Sequence, residues 1–127
     1  MEKATEDYVS YEVAKLLKEK GFDWKCLAHW FIGIDRNFSI SVAPQNWNEV
    51  KTDLDWLSCP THQMAMKWLR KKGIRICIDY NNMNGDWYAT IAKEYDGQMS
   101  ERIRSEHFTL YEEAVEAALK YVLENLI

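Results

Sequence analysis

A chain of 127 residues, 47% hydrophobic and 28% charged, has the make-up of a folded globular protein with a core that needs no metal or disulfide staples. Its net charge of -4 argues against general attraction to nucleic acid, although a net value can hide a local basic patch. No apolar run approaches the roughly 20 residues of a membrane helix. The start, Met1 to Asp7, is acidic where a signal peptide is basic and then apolar, and Cys26, Cys59 and Cys77 form an odd set with no framework spacing. A cytoplasmic protein with reduced thiols and no membrane association is the expectation.

Ser10 is placed to N-cap a first helix running to about Lys20, with Val9, Val13, Leu16 and Leu17 forming its apolar stripe. Gly21 can take the left-handed conformation that stops it. Two alternating runs follow, Ala28, Trp30, Ile32 and Ile34 on one face of the first and Phe38, Ile40 and Val42 on one face of the second, with Asp35-Arg36-Asn37 as the turn. Pro44 to Leu57 has weak periodicity and reads as a long connection with one helical turn, of a length that is often functional.

A second helix is expected from Pro60, near its first position, to Lys72, with Met64, Ala65, Trp68 and Leu69 facing inward and Gly73 ending it. Ile74, Ile76, Ile78 and Tyr80 then alternate with Arg75, Cys77 and Asp79 as a half-buried strand. Asn84-Gly85 marks a turn, and Trp87 to Glu94 returns as the hairpin partner. A polar stretch from Asp96 to His107 leads to a last helix, opened by a capping box Thr109-Leu-Tyr-Glu112 and carrying Tyr111, Ala114, Val115, Ala118, Val122 and Leu126 on its inner face.

The order α-β-β-α-β-β-α with short connections predicts an α+β domain spanning 1–127, an antiparallel sheet built from two hairpins with helices packed mainly on one face. An internal repeat supports it. Tyr11 to Phe22 aligns without gaps on Gln63 to Ile74, placing Leu17 on Leu69, Lys20 on Lys72 and Gly21 on Gly73. The like units would be 8–43 and 60–95, followed by a C-terminal helix at 109–125.

Candidate chemistry is sparse. A doubled Cys-x-x-His, Cys26 with His29 and Cys59 with His62, supplies a tetrahedral zinc set in type, yet residues three apart in a regular strand point to opposite faces. The bland alternative is a buried thiol and an unrelated histidine. Cys59 near a helix start is a weak nucleophile candidate, since no base, third group or oxyanion pocket can be read beside it. No phosphate loop, nucleophile elbow or His-Glu-x-x-His motif is present, so neither a catalytic residue nor a cofactor is assigned.

Lys67, Arg70, Lys71, Lys72 and Arg75 form a basic stripe that could meet phosphates, although basic residues in the last turn of a helix also complement its dipole. The last helix and its approach carry Glu106, Glu112, Glu113, Glu116 and Glu124, so opposite-sign surfaces can pair within or between chains. Trp47, Trp56 and Tyr88 have no inward face assigned and are candidates for a partner surface.

Two segments, Pro60-Thr-His-Gln-Met-Ala-Met-Lys-Trp-Leu-Arg-Lys71 continuing through Ile74-Arg-Ile-Cys-Ile78, and Thr109 to Ile127, resemble small uncharacterised proteins of prophages and mobile elements of gut bacteria. The resemblance implies a cytoplasmic accessory protein and carries no catalytic residues. The sequence therefore favours a non-enzymatic module acting through protein contacts as a homodimer. Nucleic-acid binding through the basic stripe is the alternative, and a metal- or thiol-dependent enzyme comes third.

Overall fold

A computed structural model describes residues 7–32, 36–50 and 55–127. The α+β class and the order α-β-β-α-β-β-α hold, with extra strands, and all strand pairings among the described residues are antiparallel. Where the sequence suggests one domain, backbone contacts gather into two compact units, 1–62 and 63–127. The two hairpins do not share a sheet; each recruits further strands within its own unit.

In the first unit, helix α1 (Tyr11–Glu19) begins as expected, with Ser10 Oγ accepting from the Val13 N–H at 3.2 Å. Its end is a Schellman closure. The Phe22 N–H donates to the Leu17 carbonyl at 2.9 Å and the Gly21 N–H to that of Lys18 at 3.1 Å, with Gly21 at φ +87°. Val13, Ala14 and Leu17 are buried along the inner stripe.

Strand β1 (Cys26–Ile32) is the middle strand, flanked by β2 (Asn37–Gln45) and β3 (Asp55–Ser58). Trp30 sits opposite both Phe38 and Leu57, and Ala28 opposite Ile40, so these residues share one face. His29, Phe31, Trp56 and Ser58 share the other. Helix α1 lies on the first face, where Trp30 Nε1–H donates to the Val9 carbonyl at 3.4 Å and the Tyr11 ring meets Trp30 edge-on. Ile34 and the turn residue Asp35 lie outside the described residues.

The expected long connection from Pro44 to Leu57 is shorter than its sequence suggests. β2 continues through Gln45, Trp47–Glu49 forms one 3-10 turn, and β3 occupies the far edge of β1, with 51–54 outside the described residues. A four-residue strand is too short for alternation to be legible.

In the second unit, helix α2 (His62–Lys71) starts two residues after Pro60. The chain before it is held extended instead, with the Val9 N–H donating to the Pro60 carbonyl and the His62 N–H to that of Asp7. Strand β4 (Ile74–Asn81) pairs in unbroken register with the long middle strand β5 (Asp86–Tyr95), whose other edge carries β6 (Gln98–Met99) and then β7 (Ile103–Phe108). Where the sequence reads a polar link, the chain makes a tight hairpin at Asp96-Gly97, both residues at positive φ (49° and 79°), and then an edge strand.

Helix α3 (Tyr111–Asn125) packs on this sheet with Ala114, Val115, Ala118, Leu119, Val122 and Leu123 buried. The inner face thus includes Leu119 and Leu123, and Leu126 is only half-buried. The expected capping box shifts by one residue. Leu110 is the N-cap and its N–H donates to Glu113 Oε1 at 3.1 Å, while leucine offers no acceptor in return, so only half of the box exists. None of the described helices is long and apolar enough to cross a membrane.

Candidate functional site

Among the described residues no strand pairs with the outer side of β2 in the first unit. Phe38, Ile40 and Val42 alternate along β2 and share one face as the sequence suggests, and they are 38%, 57% and 104% exposed. The physical reason is which outer strand the helix covers: α1 packs against β3, and β2 is the outer strand on the other side of β1. Phe38 meets the rings of Tyr8 and Trp30 at 5.2 and 5.3 Å. From Asn37 to Ala43 the strand carries no charge and no proline, two devices by which outer strands commonly resist pairing. Pro44 and an irregular register near Cys26 confine the free run to that stretch.

The opposite face of the same sheet is closed by the 3-10 turn. Trp47 Nε1–H donates to the Cys26 carbonyl at 2.7 Å, Asn48 Nδ2 donates to the Phe22 carbonyl at 2.9 Å, and Asn48 Oδ1 accepts from the Ser58 N–H at 2.9 Å. This clamp lays the Trp47 ring over His29, centroids 4.1 Å apart, with Trp56 edge-on to His29 at 4.8 Å. The structure therefore brings Trp47 and Trp56 together, with Trp47 buried and Trp56 half-buried. Tyr88 belongs to the second unit.

The irregularity in β1 after Cys26 allows both Cys26 and His29 to be buried despite their spacing. Ser58 Oγ lies beside the Cys26 thiol, and His29 Nδ1 is buried with no hydrogen-bond partner among the described residues. Burial pushes the Cys26 thiol up to about 12, the Ser58 hydroxyl opposing it only in part, and burial also lowers the pKa of His29. At neutral pH both groups are uncharged, which suits packing rather than thiolate chemistry.

Cys59 faces the other way, its thiol donating to the Val9 carbonyl at 3.3 Å on the α1 side, so it lies on the opposite face of the sheet from His29. His62 is buried at the start of α2. Among the described residues no three His, Cys, Asp or Glu side chains are grouped to hold a metal ion.

In the second unit, Lys67, Arg70 and Lys71 are exposed along α2, and the Lys72 ammonium lies 4.5 Å from the centre of the Trp68 ring. Arg75 lies on the face of the sheet turned away from the buried Ile74, Ala89 and Ile91. That face also carries Tyr88, stacked on His107 at 5.0 Å and 27°, with Arg104 Cζ at 5.1 Å from its ring centre. His107 Nδ1 lies 2.7 Å from Asp86 Oδ1. Sequence reasoning missed Arg102, Arg104 and His107 because they lie in the stretch read as a link. The Asp96-Gly97 pair, a favoured two-residue hairpin turn, was the signal that could have revealed the strands on either side of it.

Comparison with known protein families, with curated proteins and with solved structures finds no match to this chain.

Proposed function

We propose that the chain is a non-enzymatic protein-interaction module that pairs with a second copy of itself through the outer edge of β2. The observation that carries this reading is the uncharged run Phe38-Ser39-Ile40-Ser41-Val42, exposed and unpaired on its outer side among the described residues. The run is close to palindromic. In an antiparallel pair centred on Ile40, Phe38 of one copy faces Val42 of the other, Ser39 faces Ser41, and Ile40 faces itself, which is the self-complementarity a two-fold interface requires. Open backbone N–H and C=O groups on an edge strand are a ready template for such pairing.

The buried and uncharged state of Cys26 and His29 supports the non-enzymatic part of the reading. The setting we propose, a prophage or mobile element, rests on the sequence resemblance alone.

Light scattering at micromolar concentration tests the pairing. The wild type is expected at twice the 15.1 kDa chain mass, and Ile40→Lys at the single-chain mass with an unchanged circular dichroism spectrum, because Ile40 is exposed. A monomeric wild type would refute the proposal. Nucleic-acid binding through Lys67, Arg70, Lys71 and Lys72 stays a second reading, carried by their common exposure. Its check is retention of a duplex or single strand at low ionic strength, lost on Arg70→Glu with Lys71→Glu.

A further inference from the structure

The open face of the second sheet holds a hollow of about 350 Å³ lined by Arg75, Cys77, Asp79, Thr90, Ala92, Met99, Ser100 and Arg102. It exists because the middle strand carries small residues there. Ala92 is the cross-strand partner of Arg75, and Arg102, which immediately precedes Ile103, the partner of Ile91, lines the hollow from the other edge of β5. With strands about 4.8 Å apart, two arginines flanking one alanine place their α-carbons roughly 10 Å from each other. Their side chains can then rise on either side of a floor made by Ala92 and Thr90.

Among the described residues, neither guanidinium has a carboxylate within 4.0 Å; the ion pairs there are His107–Asp86 and Lys120–Glu124. Asp79, the acid in the hollow, is four strand positions from Arg75, about 13 Å along β4, so the basic and acidic ends keep their separate charges. Arginine presents a fixed fork of N–H donors that matches phosphate and carboxylate oxygens.

We propose that this hollow binds a small ligand through an oxyanion, a phosphate or a carboxylate, held between Arg75 and Arg102, with Asp79 accepting a hydrogen bond from a hydroxyl or amino group at the ligand's other end. A volume of this size suits a small molecule. The site is independent of the β2 edge, which lies in the other unit.

Cys77 makes the hollow testable, since it lines the site and is the exposed thiol, whereas Cys26 and Cys59 are buried. The experiment follows the rate at which iodoacetamide, an uncharged reagent, alkylates Cys77 in the full chain, read by mass spectrometry at constant ionic strength maintained with sodium chloride. Added inorganic phosphate or acetate is the probe, and whichever anion protects identifies the oxyanion. A saturable, several-fold slowing is expected, together with a rise in thermal midpoint. Protection should vanish in Arg75→Gln with Arg102→Gln and weaken in Arg75→Lys, which keeps the charge but loses the fork. Three results overturn the proposal: no slowing by either anion, equal slowing in the double variant, or slowing by a single-stranded oligonucleotide alone.

Discussion

At the residue scale, the His29 environment sets a pH response. Burial lowers its folded-state pKa below the ordinary value near 6.5, so the unfolded chain takes up a proton at a higher pH than the folded one. The stability this neutral ring confers is complete above that ordinary value. It is lost as pH falls from there towards the lower folded value. Thermal unfolding of the wild type between pH 7 and 5 should therefore steepen relative to His29→Gln; parallel curves would show that the ring does not sense pH.

Cys26 works in the opposite sense, its thiol held neutral by burial with a pKa of about 12. In native protein at mild alkaline pH, alkylation followed by mass spectrometry should mark Cys77 while leaving Cys26 and Cys59 unmodified until denaturant is added. Early modification of Cys26 would contradict the closed site beneath Trp47. Gly73 is a third residue with a sharp requirement. Its φ is +83° and a Cβ there would stand 3.3 Å from Glu94 Cβ, so Gly73→Ala should cost more than about 1 kcal/mol in chemical denaturation.

At the element scale, strand position decides which apolar residues matter. Ile76 and Ile91 are cross-strand partners of the same kind, but Ile91 lies on the middle strand and is fully buried, whereas Ile76 lies on the outer strand and is half-buried. Ile91→Ala should cost about 2 to 5 kcal/mol, and Ile76→Ala distinctly less. Equal losses would mean that β4 is covered as well as β5. The alternation of β4 is the cleaner of the two in the sequence, so periodicity alone points to the wrong strand. Periodicity reports which side chains share a face; neighbours decide how deeply that face is buried.

At the scale of the whole molecule, the proposed pairing through β2 would make stability depend on concentration. If two chains associate, the thermal midpoint of the wild type should rise with protein concentration, and that of Ile40→Lys should not. A midpoint independent of concentration in both would leave β2 a bare edge. The two compact units resemble one another as far as helix, glycine stop and hairpin, then diverge. The first strand after the helix is the middle strand in one unit, and the second is the middle strand in the other. The aligned repeat thus covers local structure and stops where sheet order begins.

Local chemistry was legible because it is written in neighbouring residues. Ser10 as a cap, Gly21 and Gly73 as helix stops, the stripe of α1 and the turn of the β4–β5 hairpin at Asn84-Gly85 all follow from contacts within a few positions. Tertiary structure alone decided which strand is outermost, and so left Phe38, Ile40 and Val42 uncovered. It also laid Trp47 over His29 through the bond to the Cys26 carbonyl, and it brought Arg75 and Arg102 to one hollow above Ala92. Those arrangements join residues that are not neighbours in the chain. Their energies depend on strand order and register, which alternation constrains for each strand separately but does not specify between strands.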